Sequence, residues 1–256
     1  MEALEIFQRY ELKYLIPYEA YQEITRHLQK RMTFDPYGDS NGCYNIVSLY
    51  FDSADDKIYY ETRNKLDFRQ KLRLRVYGSA SPESDSFLEL KQKYNRVVNK
   101  RRTIITLADA YDFIYHKSKH EEYYNVSNQQ ILREVNNFSG LYQLEPQVVV
   151  SYDRQALAGI EEPDLRVTFD FNLMTRSDNL QIEDGPEGDL FVDPNMVIME
   201  VKVSNSVPFW LSRMLSEFEC ERKSVSKFCT SIDMANGIVR PYEPARPEHD
   251  VAGISI

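Results

Sequence analysis

Charged and apolar side chains alternate with a two-residue period in several short segments of this 256-residue sequence. The pattern is clearest in residues 9–14, 71–76, 87–93, 165–171 and 199–203. Successive side chains of a β-strand point to opposite faces, so these segments predict strands with one charged face and one apolar face. Lys and Arg side chains gathered on one face are groups that bind phosphate oxygens.

The alternating positions are rich in positive charge, although the whole chain has a net charge of −9. They comprise the basic residues Arg9, Lys13, Lys71, Arg73, Arg75, Lys91, Lys93, Lys100, Arg102, Arg154, Arg166 and Lys202, and the acidic residues Glu11, Glu89, Asp170 and Glu200. This leaves 19 of the 31 basic and 36 of the 40 acidic residues elsewhere in the chain. A solvated sheet face shows the same alternation and is the alternative for any single strand. Like charges on neighbouring strands repel, so a face this basic favours a polyanionic ligand.

These residues must be positioned by a sheet, and turn residues divide the sequence into eight predicted strands. The strands are expected at 6–16, 44–53, 69–77, 86–94, 97–106, 145–154, 164–172 and 196–203. Apolar residues at helical spacing predict helices at 18–31, 109–117, 127–137, 208–219 and after Ser224. We expect an α+β fold in which the strands form a closed antiparallel eight-stranded β-barrel with the helices packed on the outside. A closed barrel would gather the charged faces around one interior.

The composition of the sequence indicates a folded protein and gives no sign of a membrane helix. With 42% hydrophobic residues the chain is expected to fold, and it has no apolar stretch of the roughly 20 residues that a membrane helix needs. Three scattered cysteines and no signal peptide favour the cytoplasm. We expect one domain over residues 1–239 and an extended or partly disordered tail over residues 240–256. The sequence is compatible with a monomer, and a closed interior would exclude duplex nucleic acid.

Eight short motifs, taken together, resemble one known family. They are RYELKY (residues 9–14), YFDS (50–53), KLRLRVYG (71–78), FLELKQK (87–93), YDR (152–154), LRVTFD (165–170), MEVKV (199–203) and SVSKF (224–228). In this order they are similar to the VTC-type polyphosphate polymerase domain of the triphosphate tunnel (CYTH-like) superfamily. The resemblance extends over roughly residues 5 to 235.

The resemblance implies a metal-dependent polyphosphate polymerase, which binds ATP and inorganic polyphosphate with Mn²⁺ or Mg²⁺ and transfers the γ-phosphoryl group to the growing chain. It assigns catalytic roles to Lys13, Arg73, Arg75, Lys91, Arg154, Arg166, Lys202 and Glu200. The further phosphate-binding candidates are Arg9, Lys71, Lys93, Lys100, Arg102, Ser226 and Lys227, where either Lys100 or Arg102 fills one family position. The metal candidates are Glu200 and, more weakly, Glu11 and Glu89, which could instead balance the surrounding cations.

Two other functions fit the same residues. A tunnel triphosphatase would use the same cations but admit water to the phosphate, and a non-catalytic module would only bind polyphosphate. The sequence contains no GxxxxGK[ST], GxGxxG, GxSxG or HExxH motif. Other common catalytic classes are therefore not indicated.

Overall fold

The computed structural model describes residues 6–94, 97–116, 120–223 and 225–242, and of residues 6–9 only the backbone. The side chain of Arg9 and residues 243–256 of the predicted tail lie outside the described residues. All eight predicted strands are present, joined by two short strands that the sequence did not reveal. The strands are β1 (Ile6–Pro17), β2 (Met32–Phe34), β3 (Cys43–Asp52), β4 (Phe68–Tyr77), β5 (Asp85–Tyr94), β6 (Val97–Thr106), β7 (Glu145–Gly159), β8 (Arg166–Arg176), β9 (Asp189–Leu190) and β10 (Met196–Val203).

The strands form one antiparallel sheet with the order β2-β7-β3-β4-β5-β6-β1-β10-β8-β9, and β7 additionally pairs with β8. The short strands extend two of these ladders, because β2 pairs with β7 beyond the end of β3 and β9 pairs with the end of β8. The expectation of a closed eight-stranded barrel is corrected: the sheet has ten strands and ends in β2 and β9. The β7–β8 pairing nevertheless curves the sheet back on itself, giving it an outer and an inner face.

Six α-helices accompany the described part of the sheet. They are α1 (Tyr18–Leu28), α2 (Lys57–Arg63), α3 (Leu107–Tyr111), α4 (Gln129–Tyr142), α5 (Phe209–Glu217) and α6 (Lys227–Ala235). The sequence predicted all of them except α2. A π-helical turn (Asp112–His116) continues α3, so the predicted helix at 109–117 corresponds to these two segments.

Apolar residues of the strands face outward and are covered by helices. Leu28 of α1 and Leu211 of α5 pack with Val167, Met199 and Val201 in one buried cluster. A second cluster joins β3, β4 and β5 to α2, α3 and α4. Burying this apolar face supplies the main stabilisation of the sheet, at roughly 25 cal/mol per Å² removed from water. The charged side chains at alternate positions are thereby directed to the inner face.

Helix α6 departs from the expectation that helices pack outside, because it lies against the inner face. The ring of Phe228 packs on that of Tyr50 with centroids 5.4 Å apart, and Tyr50 points to the same side of β3 as the charged positions. Val148 and Ile198, also on the inner face, belong to the same buried cluster as Phe228. Helical spacing in the sequence shows that α6 has an apolar side but not which surface it covers.

None of the helices in the described ranges is both long enough and apolar enough to span a membrane.

Candidate functional site

The alternating charges lie together on the inner face of the sheet, which we call the charged inner face. Several are almost fully buried: the exposed fraction is 0% for Glu89 and Asp170, 3% for Arg75 and 5% for Glu200. A face turned to bulk solvent would leave such side chains exposed. The alternative of an ordinary solvated sheet face is therefore wrong for these positions.

Glu200 of β10 is the centre of the largest cluster of ion pairs. Lys13 Nζ lies 2.5 Å from Oε1 and Lys202 Nζ 2.8 Å from Oε2. Lys227 Nζ and an Arg154 Nη approach the same carboxylate at 3.5 and 3.8 Å. These cations come from β1, β10, α6 and β7, so only the folded chain brings them to one carboxylate.

Lys13 lies between two carboxylates. Its Nζ is 3.0 Å from Glu11 Oε1 in addition to its contact with Glu200. The other oxygen of Glu11 accepts a hydrogen bond from Lys91 Nζ at 3.3 Å. Glu11 and Glu200 are thus close enough to share one cation between them.

Glu89 of β5 is the centre of a second cluster. Arg73 Nε donates to Glu89 Oε2 at 2.6 Å, and an Arg75 Nη lies 3.9 Å from the same oxygen. Lys100 forms an ion pair with the other oxygen. Burial raises the pKa of Glu89, but Arg73 and Lys100 outweigh burial and hold the pKa well below its usual range. These contacts are those of a carboxylate that orders the surrounding cations.

Two tyrosines and a serine orient the arginines of β4, and the sequence analysis did not single them out. Tyr50 accepts a hydrogen bond from an Arg73 Nη at 3.0 Å. Arg75 donates to Ser48 Oγ and to the Tyr152 hydroxyl, each at 2.9 Å. All three partners occupy inner-face positions of β3 or β7. The same two-residue period that marked the charges could have identified them.

The N-terminus of α6 adds a third group of polar side chains. Ser226 caps the helix, because its Oγ accepts from the backbone N–H of Cys229 at 3.3 Å. Lys71 Nζ lies 3.5 Å from the same Oγ and 5.0 Å from the ring centre of Phe228. Lys227, the first residue of the helix, donates to Asp170 Oδ2 at 2.6 Å. The predicted phosphate contacts Lys71, Ser226 and Lys227 are therefore neighbours.

The remaining predicted residues have other surroundings. Arg166 forms an ion pair with Asp35, which follows β2. Arg102 lies over the ring of Phe87, 5.2 Å from its centre. Burial, together with the neighbouring cations Arg69 and Lys91, lowers the pKa of Lys93.

Carboxylates are the candidate metal ligands on the charged inner face. In the parts of the chain described above, no group of three or more His, Cys, Asp or Glu side chains is arranged to hold a metal ion. A hard divalent ion bound together with a phosphate chain needs only one or two carboxylates, because phosphate oxygens and water complete its coordination. Glu11 and Glu200, which already share the ammonium group of Lys13, meet that requirement.

Most of the sequence motifs lie in this curved antiparallel sheet, whose inner face is basic and buried. The model of the VTC domain matches residues 8–236. The chain therefore belongs to the VTC domain family.

A solved structure of low sequence identity shares this fold. HpAC1 from Hippeastrum, a protein with the name adenylyl cyclase and a dominant triphosphatase activity, superposes with a TM-score of 0.54 at 17% identity, over 91% of this chain and 98% of its own. A protein from Vibrio parahaemolyticus with the name putative adenylate cyclase superposes with a TM-score of 0.41 at 13% identity, over 88% of this chain and 96% of its own. The Mimivirus capping enzyme triphosphatase superposes with a TM-score of 0.38 at 10% identity, over 83% of this chain and 88% of its own. The last two scores are too low to establish a shared fold. No curated protein matches the sequence.

Proposed function

We propose that this protein is a metal-dependent polyphosphate polymerase that transfers the γ-phosphoryl group of ATP to a polyphosphate chain. The observation that carries the proposal is the excess of positive charge on a buried surface. Twelve described Lys and Arg side chains, eleven at the alternating strand positions and Lys227 at the start of α6, accompany five carboxylates, which are Glu11, Asp35, Glu89, Asp170 and Glu200. Burying unbalanced charge is costly, and a bound polyanion would offset that cost.

We further propose that the curved sheet forms a channel along this face that receives the phosphate chain. The pairing of β7 with β8 supports the channel, since it connects strands near the two ends of the sheet order. Helix α6 would then obstruct one part of the interior with Phe228 and neighbouring apolar residues. An interior of this kind accommodates a slim phosphate chain and excludes a nucleic-acid duplex.

The chain's own residues supply positioning and electrostatic stabilisation. Phosphoryl transfer spreads negative charge over phosphate oxygens in the transition state, and fixed cations stabilise that charge. Arg73 and Arg75 are held by carboxylate, hydroxyl and aromatic partners, so little motion is needed to present them to phosphate. Lys13, Lys91 and Lys202 are ammonium groups that can exchange a carboxylate partner for a phosphate oxygen.

Glu200 and Glu11 would hold the divalent ion, Mn²⁺ or Mg²⁺, which would supply positive charge to neutralise part of the phosphate charge. Burial raises the pKa of Glu200, but Lys13 and Lys202 outweigh it and hold the pKa well below its usual range, so the carboxylate is ionised at neutral pH. Ionisation is a requirement for a metal ligand. Glu89, enclosed by Arg73 and Lys100, is better suited to ordering cations.

Hydrolysis of a triphosphate or of polyphosphate is the second candidate. The Hippeastrum protein that shares this fold has triphosphatase activity. The same cations would serve both reactions, since they differ in whether water or a phosphate end attacks. A non-catalytic polyphosphate-binding module is the third candidate.

One assay separates the three. Purified protein is incubated with ATP and Mn²⁺ while long-chain polyphosphate and free phosphate are both measured. We expect polymer to form; free phosphate without polymer would identify a hydrolase, and tight tripolyphosphate binding without either product would identify a binding module.

A substitution of Glu200 tests the assignment of the metal ligand. We expect Glu200→Gln to abolish Mn²⁺-dependent turnover and to weaken Mn²⁺ binding measured by calorimetry, because the neutral amide is a poor ligand for a hard cation. Glu134→Gln is the matched control, since Glu134 pairs with Arg101 on the opposite side of β6. Full turnover in Glu200→Gln would refute the assignment of Glu200 as the ligand.

A further inference from the structure

Asp170 of β8 is a buried carboxylate on the charged inner face for which neither the sequence motifs nor the proposed reaction gives a role. Its Oδ1 accepts from Arg154 Nε at 2.6 Å, and its Oδ2 accepts from an Arg154 Nη at 2.7 Å. The same Oδ2 accepts from Lys227 Nζ at 2.6 Å. One carboxylate therefore holds an arginine of β7 and a lysine of α6, which lie 73 positions apart in the sequence.

The two cations are also held from another side by one aromatic ring. The guanidinium carbon of Arg154 lies 5.3 Å from the ring centre of Tyr152, and Lys227 Nζ lies 4.8 Å from it. A bidentate contact fixes the plane of a guanidinium group, and an aromatic face restricts it further. Arg154 and Lys227 are thus fixed in position, while the cluster that they form with Asp170 keeps one net positive charge.

Glu200 cannot take over this task. Its contacts with Lys227 and Arg154, at 3.5 and 3.8 Å, are longer than those of Asp170. Its two oxygens are already engaged by Lys13 and Lys202 at 2.5 and 2.8 Å. If Glu200 also serves as a metal ligand, its remaining hold on Arg154 and Lys227 weakens further. Asp170 is then the carboxylate that keeps both cations in place.

We propose that Asp170 is a positioning residue for phosphate binding, which fixes Arg154 and Lys227 so that both direct their remaining N–H groups at the same phosphate oxygens. This inference rests on the proposed function, since it takes a phosphate chain as the ligand of the charged inner face. Burial raises the pKa of Asp170, but Arg154 and Lys227 outweigh burial and lower it, so the carboxylate is ionised at neutral pH.

The variant Asp170→Asn tests the inference through the sign of its effect. Asn has nearly the same shape as Asp but no charge, so it cannot hold two cations. If Asp170 only balances charge, its removal makes the site more positive, and tripolyphosphate should bind more tightly with a steeper dependence on salt. If Asp170 positions the cations, we expect roughly tenfold weaker binding, equivalent to about 1.4 kcal/mol, and a shallower salt dependence.

Calorimetric titration with tripolyphosphate measures both quantities without relying on turnover. Tripolyphosphate binding to the wild-type protein is the check on the proposed function: if the wild type does not bind, that function fails. If the wild type binds and Asp170→Asn binds as tightly or more tightly, the inference about Asp170 fails on its own.

A double-mutant cycle and a stability control complete the test. We expect Asp170→Asn to weaken binding less in a Lys227→Met background than in the wild type, because one of the two positioned cations is already absent; additive effects would contradict a shared role. Asp52→Asn is the matched control, since Asp52 is equally buried but caps α2 by accepting from the N–H groups of Ile58 and Tyr59. The Asp52→Asn variant should have a lower melting temperature and an unchanged affinity for tripolyphosphate.

Discussion

The protonation of lysines on the charged inner face depends on the balance between burial, which lowers the pKa, and nearby carboxylates, which raise it. Lys13, placed between Glu11 and Glu200, has a pKa above its usual range despite burial, whereas burial lowers the pKa of Lys202 to about 8 although Glu200 is its neighbour. Lys71 has no carboxylate of the described residues within ion-pair distance. Burial lowers the pKa of Lys71 to about 8, and the nearby ammonium groups of Lys91 and Lys13 act in the same direction.

This predicts that anion binding takes up a proton near pH 8. The groups facing Lys71 are Tyr50 on β3, Lys91 on β5, Lys13 on β1 and Cys229 on α6, none of them a carboxylate. A bound phosphate chain would favour the charged ammonium form, so tripolyphosphate affinity should fall as the pH rises from about 7 to about 9. Calorimetry in buffers of different ionisation enthalpy measures the proton uptake. Wild-type uptake that persists undiminished in Lys71→Met would contradict the assignment.

The same pKa shift fixes the sign of the effect on stability. The folded pKa of about 8 lies below the value of about 10.4 for a solvated lysine, so the folded state binds fewer protons between these two pH values. Without ligand, the contribution of Lys71 to the free energy of unfolding therefore becomes more favourable as the pH rises through this window. Ligand affinity and ligand-free stability should move in opposite directions.

Among the secondary-structure elements, α6 connects the charged inner face to the rest of the fold. Its first residue, Lys227, contacts Asp170 and Glu200. Near its C-terminal end, the buried carboxylate of Asp233 accepts from the Tyr59 hydroxyl at 2.6 Å and from an Arg63 Nη at 3.0 Å. Both partners belong to α2, so α6 is attached to the inner face at one end and to another helix at the other.

We expect Asp233→Asn to lower the free energy of unfolding by about 1–3 kcal/mol, because a buried acceptor shared by two donors is weakened. Chemical denaturation measures the loss, and hydrogen exchange should show faster exchange in α6. Glu217→Gln is the control, since Glu217 pairs with Arg213 on the exposed side of α5 and such pairs contribute little. Equal stability of the two variants would refute the anchoring role of Asp233.

At the scale of the whole molecule, charge is segregated by position. The chain has a net charge of −9, yet twelve described cations and five carboxylates lie on or beside the charged inner face. The outer parts of the molecule are correspondingly acidic and repel other polyanions. The net charge therefore does not predict the ligand of this protein, whereas the location of the charges predicts a polyanion. We propose that residues 1–239 act as one domain, since the sheet includes strands from both ends of this range.

This segregation predicts selectivity by shape. Labelled tripolyphosphate or a short polyphosphate should bind, whereas duplex DNA of equal phosphate concentration should neither bind nor compete, because a duplex is too wide for the proposed channel. Fluorescence anisotropy at about 50 mM salt, where electrostatic binding is strong, checks both statements. Competition by duplex DNA would show that the basic surface is open instead of enclosed.

The sequence by itself determined the strands and the charged positions. Alternation is a local property of a pleated backbone, so the eight long strands and the shared face of residues such as Arg73 and Arg75 could be inferred without any contact. Their ends were less certain: β7, for example, runs to Gly159, five residues beyond the predicted end. The two- and three-residue strands β9 and β2 were missed, because they are too short to show a period.

Only the tertiary structure decided which charges meet. The contacts of Asp170 with Lys227, of Lys13 with Glu200, and of Arg75 with Tyr152 join elements distant in the sequence. The inner location of α6 is of the same kind, since its apolar spacing fits either side of the sheet. The alternation in the sequence determines the side of a strand on which a residue lies. The residues that it contacts depend on the order of the strands and on the docking of the helices, which arise from long-range packing.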